Sequence, residues 1–334
     1  MQLMAYQIHQ NYIPERLVTF EGKEYRWLGG TNYLNIGTHP LFQEKLREGI
    51  QIFSQNWGSS RLNNYRMDVW ENLEEVFAKR FQVEAAALCS SGLLAGQTAL
   101  QYINQQFPSA NISLAPKTHP ALWRHPHKPA PGSFAEWKSD AQILCMDGIG
   151  APWVESFFNG FEKELGSDQI LIVDESHRLG IVSTQIDTPA YLIQTSSLSK
   201  AFGIPAGIIL GNKTDIEAIK QDPFWVGASP ANPAYIYACL HAQEAYDERI
   251  QQSQALAKAF SKVARHVHLI ADYPAFSSSD EKLFEHLKMH GFLCNQFAYP
   301  DVTAAPICKA ILPACLNLQD IADLALALKT YEID

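Results

Sequence analysis

The sequence predicts an α/β fold: a large domain built on a mostly parallel central sheet, and a second, smaller α+β domain. Three observations carry that prediction. Between residues 84 and 211, short and nearly continuous apolar runs alternate with stretches of helical spacing, the pattern of parallel strands covered on both faces by helices. Near residue 235 the alternation stops, and a long helical pattern leads into mixed strands and helices. The chain has 334 residues, 47% of them hydrophobic and 18% charged, enough for a large core and two domains.

The elements follow in order. Alternation at Val18–Phe20 and Tyr25–Leu28, broken by Glu21, Gly22 and Lys23, predicts a hairpin. "PLFQEKLREGIQIF" has helical spacing at Leu41, Leu46 and Ile50, and "MDVWENLEEVFAKRF" repeats it through Val69, Leu73, Phe77 and Phe81. Strands are predicted at 84–91, 111–116, 142–147, 169–176, 190–196 and 206–211. Helices are predicted at 92–107, 152–165 and 213–222. One long helix is predicted over 233–264. Beyond it, "HVHLIADYPAFSSS" and "FAYPDV" read as strands, and "DEKLFEHLKMHG" and "LQDIADLALALKTY" as helices. The large domain is accordingly placed at 41–235. The small one is placed at 1–40 and 236–334, with the N-terminal hairpin packed on the C-terminal part.

Bulk properties exclude several functions. The net charge is -9 and no basic cluster is present, so a nucleic-acid footprint is not expected. No apolar run approaches the roughly 20 residues that span a bilayer, and the first residues lack a basic segment followed by an apolar block. Six scattered cysteines without CxxC read as reduced thiols, which points to the cytoplasm.

Three segments end predicted strands with polar residues, at the edge where sheets of this kind place their sites. In "LCSSGLLAGQ", Ser90, Ser91 and Gly92 close a strand and open a helix whose N-terminus favours an anion. In "ILIVDESHRLGIV", Asp174 follows four apolar residues and needs a cationic partner. His177 lies three residues on. Asp174, Glu175 and His177 lack the spacing of a metal set, and "HPHK" at 125–128 reads as a proline-rich loop. In "TSSLSKAFGIPAG", Lys200 stands among serines and glycines just beyond an apolar strand. Phosphate seat, carboxylate for a ring nitrogen and amine for a carbonyl are the three functions pyridoxal 5'-phosphate requires.

At these residues the chain resembles the fold-type I pyridoxal-phosphate enzymes, and within them the α-oxoamine synthases. "NYLNIGTHP" is similar to the family's "NDYLGLSxHP", "LCSSGLLAGQTAL" to "FxSGFxANxxxI", and "KTHPAL" to "xSHASL". "VDESHRLGIV" is similar to "VDDAHGxGxx", "SSLSKAFGIPAGIILG" to "xTLGKAxGxxGGxxxG", and "PFWVGASPANPA" to "xFIYSTSxPPA". The match runs over residues 30 to 240.

The resemblance implies an acyltransferase that condenses an amino acid with an acyl-CoA, as in 8-amino-7-oxononanoate synthesis for biotin. Lys200 would form the Schiff base and move the α-proton. Asp174 would pair with the ring nitrogen, His177 would lie near the ring's phenolic oxygen, and His119 would stack on the ring. Ser91, Gly92, Leu93 and Ser197 would hold the phosphate. Ser229 matches a position that reaches the phosphate of another subunit, which implies a homodimer with shared sites. Asn32 falls near the substrate carboxylate.

The chain also departs from the pattern. A family histidine is Trp70 here, and "CMDGIGAPWVE" aligns Asp147 with either of two family acids. Where the family has "RLRLTLT", with an arginine fork for the substrate carboxylate, this chain has "ICKAILP", with Lys309 in that place. An aminotransferase or lyase on a small amino substrate is the alternative. A serine acyl enzyme is not supported: Ser197–Lys200 matches S-x-x-K, but S-D-N and K-T-G are missing.

Overall fold

A computed structural model describes residues 8–124, 127–137, 139–158, 160–298 and 304–331. The chain opens with hairpin β1 (Leu17–Phe20) and β2 (Lys23–Trp27). Helix α1 (Pro40–Phe53) starts on a proline, with the His39 ring accepting the Leu41 N–H, and stops where Ser54 turns to φ 59°. Helix α2 (Val69–Phe81) buries Val69, Leu73 and Phe77 on one face and ends on Gln82 in the left-handed region. Next come β3 (Ala85–Cys89), α3 (Gly92–Gln106), β4 (Ile112–Leu114), β5 (Ile143–Asp147), the short β6 (Ile149–Gly150) and β7 (Glu155–Ser156), β8 (Ile170–Asp174), β9 (Tyr191–Ser197) and β10 (Gly207–Gly211).

The chain continues through α4 (Lys213–Ile219), α5 (Pro223–Gly227), α6 (Pro233–His241) and α7 (Gln243–Ser261). It ends in β11 (His268–Leu269), β12 (Ala275–Ser278), α8 (Glu281–Met289), β13 (Phe292–Leu293), β14 (Asn295–Ala298), β15 (Pro306–Ile311) and α9 (Leu318–Lys329).

Two compact units emerge. One holds residues 39–149 and 156–245, the other 1–38, 150–155 and 246–334. The first is organised by a six-stranded sheet of order β3-β10-β9-β8-β5-β4. β4, β5, β8 and β9 pair in parallel. β10 is antiparallel to both β9 and β3, so β3 runs with the others and β10 against them. Apolar side chains cover both faces. Ala87, Ile143, Ile172 and Ile209 pack with α3 residues Ala95, Ala99 and Leu100 on one side. Leu144, Leu171 and Val173 pack with Phe134 and Phe157 on the other.

In the second unit, Phe292 and Leu293 of β13 pair in parallel with Arg26 and Trp27 of β2, so the hairpin does join the C-terminal region. A four-stranded sheet of order β11-β12-β15-β14 accompanies it. Arg16 grips Asp320 through two hydrogen bonds of 2.8 and 2.7 Å. Asp320 also completes the capping box that starts α9. Burial alone would raise the Asp320 carboxyl, but Arg16 and the Asn317 N–H hold it below the usual range. All six cysteines are free thiols.

Two expected elements differ. The helix predicted over 152–165 is absent. The segment forms turns, β7 and a single 3-10 turn at Phe161–Lys163, with Gly160 at φ 103°. Phe157 stacks on Phe134 with ring centroids 4.4 Å apart. Burying these aromatic rings against a distant segment outweighs the local helical period. The helix predicted over 233–264 is two helices, divided at Ala242, whose φ of -116° and ψ of 29° leave the helical region. The predicted "FAYPDV" strand is seen as the end of β14, and its residues 299–302 lie outside the described residues, as does the start of "HPHK".

Candidate active site

The carboxyl ends of β3, β5, β8 and β9 share one edge of the sheet with the start of β10. Each places a polar group there. Ser91, after β3, caps α3: its hydroxyl accepts the Leu94 N–H at 3.1 Å. Gly92 follows, and a Cβ on it would stand 2.5 Å from the Ser197 Cβ at the end of β9. Gly207 opens β10 in register with both Cys89 and Ser197. A Cβ on Gly207 would meet the Ser91 carbonyl oxygen at 2.1 Å. The helix N-terminus and the serine strand end are thus drawn together because both glycines lack side chains.

Asp174 ends β8 at 7% exposure, opposite Asp147 of β5. One of its oxygens accepts the Ser176 N–H at 2.8 Å. The Ser176 hydroxyl in turn accepts the Ser197 N–H at 2.8 Å, tying the β8 turn to the end of β9. Glu175 points the other way, against the Arg178 guanidinium at 2.9 and 3.1 Å and the Gln194 amide at 2.9 Å. Burial pushes its carboxyl up to about 7, against the pull of Arg178.

Lys200 lies in the turn between β9 and β10, which is closed by the Leu198 N–H donating to Ala206 at 2.9 Å. Gly203 supplies the φ of 62° that this turn needs. The Lys200 amine sits 3.0 Å from His177 Nε2. Burial lowers its pKa, opposed by Asp174 and Asp147. A lowered amine pKa leaves more of the neutral, nucleophilic form near neutral pH. His119 lies beyond β4, within the electrostatic reach of Asp174 and Lys200.

The structure therefore brings Lys200, His177, Asp174, His119, Ser91, Gly92 and Ser197 to one edge of one unit. Leu93 is exposed on the first turn of α3. Ser229 is exposed on the loop after α5 and lines a small pocket with Ser90, Arg61 and Trp225. Asn32 and Lys309 belong to the other unit. There, Asn32 donates to Asn35 at 2.9 Å while its own oxygen is buried without a partner. Lys309 is 5% exposed on β15, in register with Ser277 and Asn295.

Sequence reasoning missed three contributors. Asp147 carries the same signal that identified Asp174, an acid ending an apolar strand. Ser176 and Gly207 carry no signal short of the strand register.

The residues fit pyridoxal phosphate. A buried carboxylate, a desolvated amine and a helix N-terminus cleared of two Cβ atoms converge on one edge, and the donor set matches the cofactor's acid, aldehyde and phosphate. Replacing Gly207 by alanine drives a Cβ into the Ser91 backbone. We expect that change to destabilise the fold by about 3 kcal/mol, read by denaturant unfolding, and to weaken phosphate binding.

Comparison with known proteins agrees with the resemblance read from the motifs. No family model matches the chain. The chain is 23% identical over 366 residues to the 8-amino-7-oxononanoate synthase of Thermosipho melanesiensis, covering 94% of this chain and 89% of that protein. Among solved structures it is similar to a serine palmitoyltransferase holding its pyridoxal-phosphate internal aldimine, with a TM-score of 0.73, 13% identity, and coverage of 94% of this chain and 89% of that one. It is also similar to the 8-amino-7-oxononanoate synthase of Francisella tularensis, with a TM-score of 0.71, 17% identity, and coverage of 91% and 97%. The fold is that of the fold-type I pyridoxal-phosphate enzymes.

Proposed function

We propose that this chain is a pyridoxal-phosphate-dependent acyltransferase of the α-oxoamine synthase kind, condensing an amino acid with an acyl-CoA. The observation that carries the reading is the convergence of the Lys200 amine, His177 and the Asp174 carboxylate beside the glycine-cleared start of α3. Its relatives named 8-amino-7-oxononanoate synthase support the acyl-transfer class.

When bound, the cofactor withdraws electrons from the carbon next to the substrate nitrogen and so makes its proton acidic. Asp174 would hold the ring nitrogen's proton through its buried carboxylate. Lys200, with its amine lowered by burial, carries that proton between substrate and solvent. His177, 3.0 Å from the amine, holds the Lys200 amine in place through a hydrogen bond. His119 covers one face of the site. Ser91, the Gly92 and Leu93 N–H groups and the Ser197 hydroxyl would hold the phosphate at the helix N-terminus. Ser229 supplies a further hydroxyl to the phosphate of a second subunit in a cytoplasmic homodimer.

A transamination or lyase reading draws on one specific feature: a lysine in place of an arginine fork for the carboxylate. Single-turnover reactions with individual amino acids, with and without acyl-CoA, decide between the two. Release of free CoA that depends on the amino acid is the expected result. Amination of the cofactor without CoA release would overturn acyl transfer.

A further inference from the structure

His119 opens a 3-10 turn at Pro120–Leu122 and stands at its N-cap. The far end of that turn is fixed to α3. Gln97 donates to the Ala121 and Trp123 carbonyls, each at 2.9 Å. A Cβ on Gly96 would meet the Ala121 carbonyl oxygen at 2.4 Å, so the helix touches the turn directly. The imidazole is held through Nδ1, which accepts the Ala121 N–H at 3.1 Å. With Nδ1 accepting, the neutral ring carries its hydrogen on Nε2. The near end of the turn is fixed by Asp147, whose two carboxyl oxygens both take the His119 N–H, at 3.1 and 3.2 Å.

We propose that Asp147 is the positioning residue for His119: its carboxyl group pins the peptide N–H that opens the turn and so sets the imidazole in the field of Asp174 and Lys200. The proposal rests on the reading of His119 as the group that covers the cofactor ring. Asp147 is 5% exposed and stands in register beside Asp174. Arg178, the nearby guanidinium, is committed to Glu175, and Lys200 lies within the electrostatic reach of both Asp147 and Asp174. Burial first, then Asp174, push the Asp147 carboxyl well above the usual range, with Glu175 adding to this and the His119 N–H and Lys200 opposing it. A neutral carboxyl still accepts an N–H through its carbonyl oxygen. An amide of the same shape therefore serves in its place, and an aliphatic side chain does not.

The test compares wild type, Asp147→Asn and Asp147→Ala as full-length apoproteins. Carbethoxylation of His119, an exposed residue, by diethyl pyrocarbonate is timed by mass spectrometry. Pyridoxal phosphate is then titrated in and followed by absorbance. We expect Asp147→Ala to change the His119 rate by about threefold or more and to weaken cofactor binding by about tenfold, the scale of one lost hydrogen bond. Asp147→Asn should stay within about twofold of wild type in both. An alanine variant that matches wild type overturns the proposal. So does an asparagine variant as impaired as the alanine one, because charge rather than the hydrogen bond would then be the cause. Asp147→Val, which suits a strand and offers no acceptor, replaces alanine if that variant does not fold. Should wild type itself fail to take up the cofactor, the functional reading falls, while the labelling rates of the apoproteins still judge Asp147.

Discussion

Replacing Lys200 by alanine should abolish turnover, with a loss of at least about 10⁴-fold, because the proposed nucleophile and proton carrier would disappear together. The amine stands 3.0 Å from His177 Nε2, and no other lysine lies in the β9–β10 turn. Borohydride treatment in the presence of the vitamer should label wild type at Lys200 and leave the variant unlabelled. Peptide mapping reads this directly. The fold should survive, since the turn is closed by the Leu198 N–H and by Gly203 rather than by the lysine head group. A melting temperature within a few degrees of wild type separates lost chemistry from lost structure. A variant that remains labelled, or that turns over at a wild-type rate, refutes the assignment.

Replacing Asp174 by alanine should lower turnover by about 10²–10³-fold, the usual cost of deleting one charge aimed at the reacting group. The variant should also shift the pH response, and the sign follows from the neighbours. Asp174 raises the pKa of Lys200 and of His119. Without it both fall further, so the limb of the pH profile set by the Lys200 amine moves to lower pH. Asp147 loses a repelling neighbour, and its carboxyl falls as well. A profile recorded over the neutral and acidic range tests this. A limb that stays put or moves to higher pH contradicts the placement of Asp174 beside the amine.

Much of the site was legible because its chemistry sits at strand ends. Asp174 directly follows an apolar run, where a polar group has little solvent-facing alternative, and Lys200 stands just beyond an apolar strand among serines and glycines. Asp147 follows the same rule, but its segment is altered against the family pattern, and only pairing with β8 shows that it stands beside Asp174. Gly207 was invisible for another reason. Its importance comes from a backbone oxygen, that of Ser91, far earlier in the sequence. The misread helix at 152–165 has a comparable cause: Phe157 and Phe161 are spaced four apart, as on a helix, yet both pack on Phe134. The division at Ala242 carries no glycine or proline to announce it.

The placement of β10 between β9 and β3 bears on synthesis at the ribosome. Among the described residues, β3 hydrogen-bonds to no other strand of that sheet than β10. Until residues 207–211 have emerged from the exit tunnel, the segment ending in Ser91 lacks the strand that hydrogen-bonds it to the end of β9. Nascent chains cut off before that point should therefore lack a formed pocket for the vitamer, and loading must follow translation of this strand rather than accompany it.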